Sequence, residues 1–241
     1  MIDASVTPLP AAGQDGKDVA LVQAMFDRVA PRYDLANAVL SLGQDAHWRR
    51  VTAAGAQPSG ALCLDVASGP GNVAQALLAA GAEAVIALDL SRQMLRVGAQ
   101  RGLPDTSWVQ GNALALPFDD ASVDVVTISF GLRNVPDAPA ALAEFARVLR
   151  PGGRLVIAEF AAPTARLFRT VYREYLLRLL PRVADLVSSD GRSYRYLAES
   201  IIAWPDRAAL AGWIEEAGFL DVRVKDLAGG IVAIHRGFRA A

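Results

Sequence analysis

The chain has 241 residues, 53% hydrophobic and 20% charged, a balance that excludes disorder as a description of the whole. Lys and Arg number 24 against 25 Asp and Glu, a net charge of -1, so the total charge makes no bid for nucleic acid. One cysteine, Cys63, excludes a disulfide framework, and His47 and His235 are too few for a zinc site to be expected.

Residues 1–16 carry Pro, Gly and small residues without a basic region followed by an apolar one, so they read as a mobile arm rather than a targeting signal. No apolar run approaches the roughly 20 residues of a membrane span, and a cytoplasmic protein is expected. From Lys17, Leu21, Val22, Met25, Phe26 and Val29 recur at helical spacing, and Pro31 closes the segment. A polar, aromatic stretch from Tyr33 to Trp48 follows. ALCLDVA, from Ala61, reads as a first strand ended by the loop SGPGN, with a helix from Val73 to Ala80 behind it. AVIALDL is a second strand, and Ser91 the expected N-cap of a helix to about Arg101. SWVQG and VDVVTISF are the third and fourth strands, separated by the loop NALALPFDD. A helix from about Pro139 to Leu149 and the turn PGG lead into a fifth, RLVIAEF.

Strands apolar on both faces, alternating with short helices, predict an α/β fold with a parallel sheet covered on both sides. The alternation breaks at residues 164–200, which read as one or two helices with aromatic faces around the polar connection SSDGRS. It resumes with a helix near Leu210–Ala217 and the runs VRVKDL and GGIVAIHR, where Gly229-Gly230 signals a hairpin and an antiparallel final pair. One domain over 17–241 is expected, with a helical cap at 17–52 and a helical lid inserted at 164–200.

The first strand ends in Asp65-Val66-Ala67-Ser68-Gly69-Pro70-Gly71. Ligands of open α/β sheets sit beyond the carboxyl ends of the strands, and glycines there let the backbone approach one. Many such loops are simply tight turns. The second strand ends in Asp89, where a carboxylate can accept both ribose hydroxyls of a nucleotide. These two features alone leave NAD and S-adenosylmethionine both open. After strand three, Asn112-Ala113 offers a side-chain amide and a backbone N–H to an adenine edge. No third glycine stands at the pyrophosphate position of the NAD fingerprint, which counts against a dehydrogenase.

Asp65, Gly69 and Gly71, then Asp89, Asn112 and the PGG turn, resemble the class I S-adenosylmethionine-dependent methyltransferases. YDLAN at 33–37, SLG at 41–43 with Trp48, FGLRN at 130–134, RVLRPGGRLVIAEF at 147–160 and YLAESI at 196–201 resemble the ubiquinone/menaquinone C-methyltransferases, the UbiE/MenG family. The resemblance implies a Rossmann-like, seven-stranded, mostly parallel sheet with an antiparallel last strand and a helical substrate lid. It implies S-adenosyl-L-methionine as cofactor, held by Asp65, Gly69, Pro70 and Gly71, by Asp89, by Asn112 and Ala113, and by Ser129. It further implies methylation of a ring carbon on a polyprenyl-substituted hydroquinone, with SLGQD and SSD closer to the menaquinone branch and demethylmenaquinol the expected substrate. The family usually has Thr at Pro70, Asp at Asn112, Met at Ala36 and Ser at Ala161. Pro70 removes an N–H and a hydroxyl from the loop, and Asn112 loses a charge. These departures favour, as the alternative, a paralogue that methylates or rearranges another small aromatic or polyketide-like molecule.

Methyl transfer from a sulfonium to carbon is an in-line displacement, so the enzyme must position the ring, exclude water and raise its electron density. Arg133 is the candidate for stabilising the ring oxyanion and Asn134 for orienting the ring oxygen, while Tyr33, Asp34 or Asn37 would take the proton. Each has a plainer reading: Tyr33 as packing, Asp34 and Asn37 as caps or bridges of a turn, Arg133 as the partner of a carboxylate that ties down its loop, and Asp65 as a brace of the glycine loop. In the lid, Phe168, Val171, Tyr172 and Tyr175, continued by Leu176, Leu179 and Leu180, form an apolar stripe. Arg166, Arg169, Arg173, Arg178 and Arg182 punctuate it. An apolar tunnel with a basic rim suits a lipid-tailed quinol and a peripheral membrane contact; an ordinary amphipathic helix has the same pattern.

Overall fold

The structure is a computed structural model that describes residues 19–30, 34, 41, 43–175 and 191–240. The expected arm at 1–16 and the lid residues 176–190, among them Leu176, Arg178, Leu179, Leu180 and Arg182, lie outside the described residues, as do Tyr33, Ala36 and Asn37. Gly191, Arg192 and Ser193 of the expected connection SSDGRS begin a helix instead. Seven strands make one sheet: β1 (Leu62–Val66), β2 (Ala84–Asp89), β3 (Thr106–Gln110), β4 (Val123–Ser129), β5 (Leu149–Phe160), β6 (Phe219–Leu227) and β7 (Val232–Arg239). Their order is β3-β2-β1-β4-β5-β7-β6. Pairings are parallel from β3 across to β5, and β7 runs antiparallel to both β5 and β6. The expected sheet, with its antiparallel last strand, is thus observed.

Successive side chains of a strand point to opposite faces, and this sorts the core into two layers. Leu64 and Val66 of β1 and Leu155 and Ile157 of β5 face one side. There they meet Leu142 and Phe145 of helix α5 (Ala138–Val148) and Leu210 and Ile214 of helix α8 (Arg207–Glu216). Cys63, Val156 and Ala158 face the other side, against Trp48, Ala53 and Ala56 of helix α2 (Asp45–Ala56) and Val73 and Leu77 of helix α3 (Asn72–Ala79). Both faces are therefore dry, which is why the strands read as continuous apolar runs.

Local chemistry sets the helix starts. Ser91 caps helix α4 (Arg92–Ala99) by accepting from the Met94 N–H at 3.1 Å, as expected, although that helix ends two residues short of Arg101. Asp137 caps α5 by accepting from Ala140 N–H at 2.9 Å, and Asp206 caps α8 through the N–H groups of Ala208 and Ala209. Strand β5 begins five residues before the expected RLVIAEF. Leu149 pairs with Val123, and the register shift between Val123 and Val125 absorbs the PGG turn, with Gly152 at φ 73°.

Three further helices cover the carboxyl ends of the strands. Helix α1 (Val19–Val29) packs Val22 and Met25 against Tyr196 of helix α7 (Gly191–Ala203). Helix α6 (Arg166–Glu174) precedes α7, and its Tyr172, with Tyr175 just after its end, packs on Ala198, Leu197 and Ile201. The expected stripe at 168–175 divides. Tyr172 and Tyr175 turn toward α7, while Phe168 and Val171 stay 38% and 57% exposed, as does Leu167 beside them at 80%.

Candidate active site

Strands β1 and β4 are neighbours in the sheet but not in the chain, so the connections leave in opposite directions and a crevice opens at their carboxyl ends. A cavity of about 810 Å³, counting the solvent at its mouth, occupies this place. Two residues that line it, Ala67 after β1 and Phe130 after β4, have left-handed backbones at φ 51° and 57°. Such conformations are strained for residues with a side chain and collect at functional sites. The Phe130 turn directs its ring onto Phe160, with centroids 4.9 Å apart, and toward Trp48 at 5.9 Å. The two loops touch closely, since a Cβ on Gly131 would lie 2.6 Å from the Ala67 Cβ.

Of the residues expected to bind the cofactor, Gly69, Asp89, Asn112, Ala113 and Ser129 line this cavity. Asp89 accepts from Gly69 N–H through one carboxylate oxygen and from Ser91 N–H through the other, each at 2.8 Å. Each oxygen keeps a lone pair for one hydroxyl of a diol. Burial pushes the Asp89 pKa up to about 6; the backbone bonds oppose this and the Asp27 charge adds to it. Asn112 Oδ1 accepts from the Leu114 N–H at 3.0 Å, so the Nδ2 amino group is the side chain's remaining polar end. Ser129 Oγ is buried and has no hydrogen-bond partner among the described residues. An orphaned hydroxyl, an acceptor pair poised for a diol and an amide at the adenine end fit a polar nucleoside such as S-adenosylmethionine.

Asp65, Pro70 and Gly71 do not line the cavity. Asp65 is 1% exposed and accepts from Thr127 Oγ1 at 2.6 Å, beneath the glycine loop, where burial pushes its pKa up to about 7. The space that Gly71 leaves open is taken by protein. A Cβ there would lie 2.4 Å from Trp108 Cη2, and one on Gly98 would lie 2.3 Å from the same atom. Gly71 also needs its φ of 81° as the cap of α3.

The expected catalytic residues divide as well. Asn134 lines the cavity, whereas Arg133, its neighbour in the short turn after β4, does not. The Arg133 guanidinium pairs with Glu159 at 2.9 Å, donates to the Phe130 carbonyl and lies over the Phe160 ring. Glu159 in turn accepts from Arg133 N–H at 3.3 Å, and the two side chains are 6% and 1% exposed. Asp34 pairs with Arg101 and accepts from Nδ2 of Asn72, the first residue of α3, at 2.7 Å, and does not line the cavity. Tyr33 and Asn37 lie outside the described residues.

Sequence reasoning missed the contribution of α1. Val22, Gln23 and Phe26 line the cavity, and Asp27 holds the helix there by accepting from Ser91 Oγ at 2.5 Å and Gln93 N–H at 3.3 Å. The helical stripe was visible, but an apolar stripe does not say whether it faces a core or a ligand. The polar Gln23 beside it was the available signal.

The sheet order, the crevice at the β1–β4 switch and the acidic end of β2 are those of a class I S-adenosylmethionine-dependent methyltransferase. Solved structures share this fold. A SAM-dependent methyltransferase from Thermotoga maritima superposes with a TM-score of 0.63 at 18% identity, covering 90% of this chain and 99% of that one. One from Aquifex aeolicus gives 0.59 at 17% identity, over 79% and 88% of the two chains. More specifically, the chain belongs to the ubiE/COQ5 methyltransferase family, which it matches over residues 13–239. It is 54% identical to a demethylmenaquinone methyltransferase of Renibacterium salmoninarum, over 90% of this chain and 92% of that protein. The protein of that name from Mycolicibacterium vanbaalenii is 55% identical over 93% and 97%, and the one from Mycobacterium tuberculosis 53% identical over 95% of each.

Proposed function

We propose that this enzyme methylates a ring carbon of demethylmenaquinol, yielding menaquinol. The observation that carries this reading is the identity above 50%, over nine tenths of the chain, to relatives that all bear one name. A different aromatic or polyketide-like substrate is not favoured by that agreement. S-adenosylmethionine, when bound, would supply an electrophilic methyl group to the ring carbon, with the neutral thioether as leaving group and the displaced ring proton passing to solvent.

The residues have separable tasks in this reading. Asp89 accepts the ribose hydroxyls, Asn112 and Ala113 meet the adenine, and Gly69 and Ser129 complete the cofactor's polar surroundings. Val22, Phe26 and Phe130 give the cavity an apolar wall that excludes water from the ring. Asn134 touches the ring oxygen as its electron density rises. Arg133 acts on that contact through its loop, because its charge is already compensated by Glu159.

A long prenyl tail calls for a route to the membrane. Among the described residues no helix is long and apolar enough to cross one. A peripheral contact through α6 is supported by the exposed Leu167, Phe168 and Val171 beside Arg166 and Arg169, apolar and basic groups on one short helix.

The test is to incubate the purified enzyme with labelled S-adenosylmethionine and chemically reduced demethylmenaquinone, and to seek the methylated quinone by mass. Cofactor binding without that product would refute the substrate assignment.

A further inference from the structure

Two hydroxyls one turn apart on α7 reach two adjacent residues of the loop after β4. Tyr196 OH donates to Asn134 Oδ1 at 3.2 Å. Ser200 Oγ gives its hydrogen to the Leu197 carbonyl at 2.9 Å and accepts from Arg133 Nε at 3.3 Å. The Tyr196 ring is 4% exposed and packs on Val22 and Met25 of α1, and Val22 in turn lines the cavity. One tyrosine therefore joins α1 and α7 to the loop that presents Asn134. Burial pushes its hydroxyl pKa up, with Arg133 opposing, so it remains protonated and a donor near neutral pH.

An asparagine amide has unlike ends, since Oδ1 accepts and Nδ2 donates. With Oδ1 taken by Tyr196, Nδ2 is the end left for the cavity. A ring oxygen that gains negative charge during methyl transfer needs a donor at that point. We infer that Tyr196 is a positioning residue for methyl transfer: its hydroxyl holds the Asn134 amide so that Nδ2–H faces the ring oxygen of the quinol. The inference rests on the function proposed above. Without the hydroxyl the amide can turn over and offer an acceptor to an oxygen that is becoming an anion.

Tyr196→Phe tests this, because it keeps the ring and its packing on α1 while removing one oxygen. The expected result is a fall in kcat of about tenfold, the worth of one well-placed hydrogen bond, with the cofactor KM changed by less than about twofold. In an Asn134→Ala background the same substitution should have no further effect on kcat. Losses that multiply in the double variant, a wild-type kcat for Tyr196→Phe, or an effect confined to the cofactor KM would overturn the inference. A second readout does not depend on turnover. The side-chain amide resonances of Asn134, assigned by their absence in Asn134→Ala, should shift or broaden in Tyr196→Phe, and unchanged resonances would overturn the inference. A wild-type enzyme that leaves demethylmenaquinol unmethylated refutes the substrate reading, and the amide resonances then still decide the role of Tyr196.

Discussion

Asp89 braces two loops and, in the proposed reading, also binds the cofactor. Its two backbone bonds hold the ends of the β1 and β2 loops together, and its pKa of about 6 sets the range in which it is ionised and can accept hydrogen bonds from two hydroxyls. The ionised form is the one suited to the ribose, so cofactor affinity is full above that pKa and declines as pH falls through it. Calorimetric titration between about pH 5 and pH 8 should show Kd rising by about tenfold per unit at the acid end. Asp89→Ala should weaken binding at every pH and remove that slope. Arg133 and Glu159 make a different residue-scale case, a charge pair with both members buried. Removing one member strands the other, and such losses are about 3–5 kcal/mol. Glu159→Ala should therefore lower unfolding free energy by that order in urea titrations. A change near the roughly 0.5 kcal/mol of a surface substitution would contradict the pairing.

At the scale of elements, the covering helices matter more than their propensities. Helix α1 has 11 residues and would be marginal alone, so its place over the cavity depends on docking. Asp27 supplies a polar anchor by bonding Ser91, whose N–H also holds Asp89. Asp27→Ala should cost about 1 kcal/mol of stability, speed amide exchange in α1 and raise the cofactor Kd by about fivefold. Unaltered exchange in α1 would show that the apolar contacts suffice. The existence and type of the sheet elements were legible because apolar periodicity reports them directly, and Ser91 announced its own helix. The docking of α7 on the loop after β4 was not legible. Tyr196 and Ser200 belong to a sequence pattern whose partners lie more than 60 residues away.

For the whole molecule, a near-neutral total charge conceals an uneven surface. Leu167 and Val171 are exposed on α6 near Arg166 and Arg169, while Phe168 sits over Gly229 of the final hairpin. Leu167→Asp combined with Val171→Asp should reduce co-sedimentation with anionic phospholipid vesicles and leave the melting temperature essentially unchanged, since neither side chain is buried. Co-sedimentation equal to wild type would remove α6 as the membrane contact.

Apolar strands, turn glycines and helix caps determined the α/β sheet and its antiparallel final pair from the sequence alone, because each is read over a few neighbouring residues. The acidic end of β2 and the amide after β3 were legible for the same reason, since strand ends of an open sheet must meet at one edge. Only the tertiary structure decided which of the candidates share a cavity. It set Asp65 beneath the glycine loop, gave the space at Gly71 to Trp108, tied Arg133 to Glu159 and brought α1 and Tyr196 over Asn134. Those outcomes depend on packing and charge pairing between distant segments, and no local pattern encodes them.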